Sequence, residues 1–300
     1  MQMRSCKLLV IGAGAAGINA AVAAWEAGCR SIILADRAAG PGGILPQCRH
    51  EGFGRLGYGS ELTGPEYAAL LADKLDRSGV AFLPGTEVLS ISEDKTAVCS
   101  GRGRLEKISF ERIILASGCR EKSIGSLPVA GTRPAGIFTA GQAQELINLR
   151  HLDPGSRVLI LGSGDLGMVM ARRFTLEGSR VIAVLEREAH YGGMARNFHR
   201  CIEAFSIPLL YRMTIKQIHG EGRICGVTAE HLDSGEQEFI ACDTLITALG
   251  LIPERELSKG IEGKDWLYFA GNCSKVHDIV DSVAAEGARI GEIAGRELYV

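Results

Sequence analysis

The sequence predicts an α/β fold assembled from two copies of one strand–turn–helix–strand unit, and three observations carry that prediction. A short apolar run ends in a glycine-spaced turn twice, at Gly12-Ala-Gly14-Ala-Ala-Gly17 and at Gly162-Ser-Gly164-Asp-Leu-Gly167. A second apolar run then closes on an acid, Asp36 or Glu186, 24 positions beyond the first glycine in both copies. Each copy ends in a similar segment, Ile113-Ile-Leu-Ala-Ser-Gly118 and Leu245-Ile-Thr-Ala-Leu-Gly250. A repeat on this scale decides the architecture before any single element does.

In the first copy, Lys7-Leu-Leu-Val-Ile-Gly12 reads as a buried strand, the alanine-rich stretch to Gly28 as a helix, and Ser31-Ile-Ile-Leu-Ala-Asp36 as the next strand. Gly42-Gly43 follows, then Thr63-Gly64-Pro65-Glu66, a capping box with proline in the first turn, which predicts a helix start. Val80-Ala-Phe-Leu83 is a further short strand, and Thr86 to Phe110 alternates as strands do. Asp153-Pro154-Gly155 is a turn before the second copy. There Arg157-Val-Leu-Ile-Leu-Gly162, a helix to Gly178 and Arg180-Val-Ile-Ala-Val-Leu-Glu186 repeat the phrase. Gly192-Gly193, Ile207-Pro-Leu-Leu210 and alternating strands from Met213 to Cys242 complete it. The remainder, from Leu251-Ile-Pro253, predicts a strand at Trp266–Ala270 and a helix from His277 to Gly295. It is too short for a domain and has to complete an earlier unit.

The glycine spacing has a chemical meaning. The first glycine makes the tight turn, the second lets a diphosphate reach the backbone, and the third lets helix and strand pack closely. The helix start offers unpaired N–H groups and a positive dipole end to the anion. The acid accepts hydrogen bonds from ribose hydroxyls. Two such units, Rossmann-like in pattern, imply two dinucleotides, the natural pair being a resident flavin and an exchanging nicotinamide.

Composition narrows the classes. Hydrophobic residues make up 46% and charged residues 23% of 300, which excludes a disordered chain. A net charge of -2 gives no basic footprint for nucleic acid. Glycine, 39 residues, is well above its usual ~7%. The nine cysteines include no C-x-x-C and the seven histidines no zinc spacing, so free thiols, a cytoplasmic location and no metal are expected. Leu8 to Trp25 carries no charge and could pass for a signal or membrane segment, but its glycines belong to the turn, so no stable membrane insertion is expected.

Nearly the whole chain resembles the two-dinucleotide FAD/NAD(P)-dependent pyridine nucleotide–disulfide oxidoreductase family. The resemblance rests on the turn at Gly12 with Asp36 and Gly43, Ile113 to Gly118, the turn at Gly162 with Glu186, Asp243 to Gly250 with Pro253, and Phe269-Ala-Gly271-Asn272. The length resembles that of thioredoxin reductase, without a separate dimerisation domain. The resemblance implies a discontinuous FAD domain, 1–118 with 251–300, into which an NAD(P) domain, 119–250, is inserted. It assigns cofactor contacts to Gly12, Gly14, Gly17, Asp36, Arg37, Gly43, Gly118, Gly271 and Asn272 for FAD. For the nicotinamide it assigns Gly162, Gly164, Gly167, Glu186 and Arg187. Asn272 stands where the family has Asp, and its amide can still accept a hydrogen bond. Glu186 favours NAD over NADP, although Arg187, Arg172 and Arg173 lie near enough in sequence to assist a 2′-phosphate.

The family's paired reactive cysteines are missing. Cys48, in the loop after Gly43, is the candidate redox thiol, and His277, at the expected start of the last helix, the candidate catalytic histidine. Gln47 and His50 are further candidates near the flavin. Gly42 to Gly54, Glu61 to Tyr67 and Val276 to Asp281 look like the flavoprotein subunits of opine oxidase, hydrogen cyanide synthase and sarcosine oxidase alpha chains. The resemblance implies hydride transfer between NAD(P)H and bound flavin within a heteromeric amine, opine or polyol-phosphate dehydrogenase, in which the partner is a second flavoprotein subunit. The alternatives are a stand-alone NADH oxidase or small-acceptor reductase, and a flavin-binding regulatory subunit with a vestigial NAD site.

Overall fold

The computed structural model describes residues 2–101 and 103–299. The chain forms two compact units: one runs to Arg120 and resumes at Ile252, and the other is Glu121–Leu251.

The discontinuous unit is built on a sheet in the order Ala81–Leu83, Ile32–Ala35, Gln2–Ile11, Arg104–Leu115, Thr96–Gly101, Thr86–Ser92, with Leu267–Phe269 also pairing Arg104–Leu115. Thr86–Ser92, Thr96–Gly101 and Arg104–Leu115 form an antiparallel meander, and the other pairings are parallel. Gln2–Ile11 is central, and its apolar end is covered on both faces. Leu8 and Val10 pack with Ile18 and Ile114 on one face, while Leu9 and Ile11 pack with Phe110 and Trp266 on the other. The uncharged run that resembles a membrane segment is therefore a core strand, a turn and the helix Ala15–Glu26. No described helix is long and apolar enough to cross a membrane.

The tail completes this unit, because its helix Val280–Glu297 lies directly on Ala15–Glu26. A Cβ added at Gly287 would come within 2.3 Å of the Ala16 carbonyl oxygen, one at Gly291 within 2.0 Å of that of Ala20, and one at Gly295 within 2.7 Å of Ala24. Glycines four residues apart face alanines four residues apart, so the two backbones touch. The helix starts at Val280 rather than His277, because Ile279 is extended (φ -131, ψ 146) and the His277 N–H donates to the Asn272 side chain at 3.0 Å. The helix expected at the capping box is Gly64–Asp76, and the Glu66 carboxylate accepts the Thr63 N–H and hydroxyl, each at 2.7 Å.

The inserted unit has a parallel sheet in the order Ile137–Thr139, Thr244–Thr247, Arg157–Leu161, Arg180–Glu186, Leu209–Tyr211. Ala140–Asn148 and Asp165–Leu176 are its main helices, and Phe174 of the second is fully buried. Met213–Gly220, Ile224–His231 and Gln237–Ile240 form an antiparallel sheet, with Ala130–Gly131 parallel at its edge.

Candidate dinucleotide sites

The three glycines of each turn have distinct tasks. Gly12 and Gly162 have φ of +100 and +105, a conformation that disfavours any side chain. A Cβ there would come within 2.4 Å of the Ala116 carbonyl oxygen or 2.3 Å of that of Ala248, so the turn lies against the end of the neighbouring strand. At Gly17 and Gly167 a Cβ would meet the carbonyl oxygens of Gly12 and Gly162 at 1.7 and 2.2 Å, which only glycine avoids.

Gly14 and Gly164 differ. The nearest atom to an added Cβ at Gly14 is the Gly43 Cα at 3.9 Å, and at Gly164 nothing lies within 4 Å. These residues cap the helices Ala15–Glu26 and Asp165–Leu176, and neither cap makes a side-chain hydrogen bond. The side-chain positions at the two helix starts are therefore open, which leaves room for a dinucleotide diphosphate to approach. The residues present fit both FAD and a nicotinamide dinucleotide.

The second glycine pair braces each turn. The Gly42 N–H donates to the Ala13 carbonyl at 2.7 Å, and Gly43 (φ +58) would bring a Cβ to 3.0 Å from the Gly14 Cα. The Gly192 N–H donates to the Ser163 hydroxyl oxygen at 3.0 Å.

The two acids turn inward. Asp36 accepts the Ala13 N–H at 2.5 Å and the Ala38 N–H at 2.7 Å. Glu186, 8% exposed, accepts the Ser163 N–H at 2.9 Å, the Ser163 hydroxyl, and the Glu188 N–H at 2.9 Å. Each carboxylate keeps lone-pair capacity beyond these bonds. Arg37 and Arg187 follow them, both exposed, and neither guanidinium has a partner among the described residues. Asp165, in the first turn of its helix, is engaged by the Met194 N–H and the Asn197 amide, both at 2.7 Å.

The late segment forms a separate cluster in the discontinuous unit. Gly118 (φ +76) has open space where a side chain would be, and its carbonyl accepts the Glu254 N–H at 3.0 Å. Gly271 (φ +71) presses on helix Ala15–Glu26, an added Cβ meeting the Ala16 Cβ at 2.5 Å. The Asn272 amide reaches the Cys119 sulfur at 3.6 Å. The His277 ring pairs with Glu286 at 2.8 Å, and the same Glu286 oxygen accepts the Gly271 N–H at 2.9 Å. Asp281, buried in the first turn of the last helix, accepts the Gly57 N–H at 3.2 Å. A carboxylate there offsets the positive end of the helix dipole.

Cys48 sits in the loop between Gly43 and Gly64. It is 8% exposed, its sulfur lies 3.4 Å from the Ile44 carbonyl oxygen, and its own carbonyl accepts the Gly64 N–H at 2.9 Å. Burial pushes the thiol up to about 12, which leaves almost no thiolate at neutral pH. Cys6, Cys29, Cys99, Cys201, Cys225, Cys242 and Cys273 are free thiols. Gln47 is half-buried, and the half-buried His50 ring packs 5.0 Å from Phe53. Among the described residues no group of three or more His, Cys, Asp and Glu is placed to hold a metal.

Sequence reasoning missed Ser163, Asp165, Glu286 and Asp281. Ser163 and Asp165 fall at the variable positions of the glycine pattern, where identity carries no signal. Glu286 and Asp281 bond to partners that no spacing rule links to them.

Two dinucleotide turns, each with its acid, in an α/β framework define a two-nucleotide flavoprotein oxidoreductase. Residues 6–269 match the model of the pyridine nucleotide-disulphide oxidoreductase family, and the chain belongs to that family. It is an FAD- and NAD(P)-dependent oxidoreductase. It is 26% identical to hydrogen cyanide synthase subunit HcnB of Pseudomonas aeruginosa, over 96% of this chain and 68% of that protein. It is 27% identical to an opine oxidase subunit from Agrobacterium tumefaciens, over 84% of this chain and 53% of the relative. The chain thus spans between half and about two thirds of these relatives' length. The crystal structure of T. acidophilum thioredoxin reductase superposes with a TM-score of 0.78 at 22% identity, covering 98% of both chains.

Proposed function

We propose that this chain is the NAD-linked flavoprotein subunit of a heteromeric cytoplasmic dehydrogenase acting on an amine, an opine or a polyol phosphate. Residues 1–118 and 251–300 would hold FAD, and 119–250 the nicotinamide. The observation that carries the reading is the pair of open helix starts at Gly14 and Gly164 in a chain whose candidate thiol, Cys48, is buried. With Cys48 buried and its thiol held protonated, the reading sends electrons toward a small acceptor or another protein. The subunit names of the hydrogen cyanide synthase and opine oxidase relatives support the second route.

When bound, the two cofactors supply the hydride exchange itself. The chain's own residues bind and orient. The helix starts at Gly14 and Gly164 receive the diphosphates through backbone N–H groups. Asp36 and Glu186 hold the turns in shape and retain acceptor capacity for ribose hydroxyls. The Glu186 carboxylate supports NAD over NADP, because it disfavours a 2′-phosphate.

An anaerobic visible spectrum of the purified chain, titrated with NADH and separately with NADPH, tests this. Rapid bleaching of a flavin spectrum by NADH, slower with NADPH, is the expected result. A flavin spectrum unmoved by either nucleotide would overturn the hydride-transfer assignment.

A further inference from the structure

We propose that His277 is a positioning residue for the flavin: through Glu286 it locks Gly271 and Asn272 in a closed hydrogen-bonded circuit, so that Asn272 meets the cofactor as a donor. This rests on the reading of the discontinuous unit as the FAD site. The circuit has four links. The Gly271 N–H donates to Glu286 Oε2 at 2.9 Å, and the His277 ring Nε2 reaches the same oxygen at 2.8 Å. The His277 backbone N–H donates to Asn272 Oδ1 at 3.0 Å, and the peptide bond from Gly271 to Asn272 closes the ring.

The ring sets the orientation of the Asn272 amide. A backbone N–H can only donate, so the amide atom that meets the His277 N–H is the oxygen. Asn272 Nδ2 is thereby turned to the other side, toward Cys119 at 3.6 Å. Sulfur is a weak acceptor, and a terminal amide carries two N–H donors, so donor capacity remains. An aspartate at 272 would present only acceptors and a charge; the locked asparagine is uncharged and presents a donor on the side away from the His277 N–H. The match is a ligand oxygen that accepts, such as a phosphate oxygen or a hydroxyl oxygen.

The ring also has little freedom to rearrange. The side chains of His277 and Glu286 are only 20% and 18% exposed, and Gly271 is pinned against Ala16. A hydrogen bond to a carboxylate in such a setting is stronger than one between neutral groups. His277 therefore acts through Glu286 and Asn272 and not on a substrate.

The test uses the full chain stripped of flavin and reloaded with FAD. FAD affinity is read by fluorescence quenching and the midpoint potential by dye equilibration, for wild type, His277→Ala, His277→Gln and Asn272→Asp. NAD(P)H binding, monitored in parallel, reports on the integrity of the inserted unit. His277→Ala is expected to weaken FAD binding at least tenfold and to shift the flavin's potential and visible spectrum. His277→Gln, whose amide nitrogen reaches where Nε2 stood, is expected to restore affinity to within about threefold of wild type. Asn272→Asp keeps the acceptor for the His277 N–H, loses the donor, and is expected to weaken FAD binding comparably. Wild-type affinity and potential in His277→Ala, or a His277→Gln chain no better than His277→Ala, would overturn the proposal alone. A wild-type chain that bound no FAD would overturn the cofactor reading and this proposal with it.

Discussion

Asp36 and Glu186 stand 150 positions apart and make the same two backbone hydrogen bonds, each accepting the N–H of the residue after the first glycine of its turn and the N–H two residues beyond itself. Both acids hold their turns closed before any ribose arrives. Replacing either with Ala leaves two backbone donors without their carboxylate partner. Asp36→Ala is expected to lower FAD affinity, Glu186→Ala to lower NAD(P)H affinity, and each to cost about 2 kcal/mol of stability. Calorimetry with each nucleotide, set beside thermal unfolding of the apo-protein, checks the separation. Glu186→Ala should be the costlier, because it also strands the Ser163 hydroxyl.

Alanine at the second and third glycines should have opposite consequences. Gly17→Ala puts a methyl group 1.7 Å from the Gly12 oxygen, and the first turn is expected to lose about 3 kcal/mol. Gly14→Ala meets nothing closer than 3.9 Å, so the fold is expected to persist while FAD is lost to the methyl in its path. Apo-protein melting temperature and flavin content on purification distinguish the two.

Cys48 should be unreactive. With its thiol pushed up to about 12, roughly one molecule in ten thousand carries the thiolate at pH 8. Iodoacetamide is expected to label the exposed Cys225 in minutes and to leave Cys48 intact until the protein unfolds. Cys48→Ser is expected to keep flavin reduction by NADH while costing about 1–2 kcal/mol of stability, since a hydroxyl is dearer to bury than a thiol. Peptide mapping and stopped-flow reduction measure the two halves.

Stability should fall on the alkaline side. Burial pushes the thiols of Cys6, Cys48 and Cys242 from 9.0 up to about 12 and that of Cys99 to about 11. Between those limits the unfolded chain releases protons that the folded chain retains, so rising pH favours unfolding. The contribution is whole below pH 9.0 and disappears as pH climbs toward 12. Urea midpoints at pH 8, 9.5 and 10.5 should decline in that order, and more gently in Cys242→Ala once its own lower starting stability is subtracted.

Much of this was legible in the sequence, for local reasons. The turns at Gly12 and Gly162 are written within some thirty residues, Gly17 and Gly167 being required by the carbonyls of Gly12 and Gly162 inside that span, whereas the close approach of Ala116 to Gly12 and of Ala248 to Gly162 comes from much later in the chain. The capping box at Thr63 is likewise self-contained. Three features were not legible. The last helix begins at Val280 because Asn272 captures the His277 N–H, a side-chain choice invisible to periodicity. Cys48 is buried with Gly64 against it, an added Cβ there meeting the Cys48 Cβ at 2.7 Å, a contact no pattern in the loop's own residues announces. His277, read from its position as a candidate for chemistry, has its ring engaged by Glu286, a partner on the far side of a helix start.

The seam between Gly287, Gly291, Gly295 and Ala16, Ala20, Ala24 orders events on the ribosome. Each alanine is synthesised 271 residues before the glycine opposite it. At roughly 5–20 residues per second that is a delay of about 14 to 54 seconds. Glu121–Leu251 is complete in sequence well before Gly287 is added, so the inserted unit can fold while the unit it interrupts still shows a bare alanine stripe. A nascent chain stalled in that interval would be a natural client for chaperones that hold apolar helices, and its inserted unit would mature before the unit it interrupts.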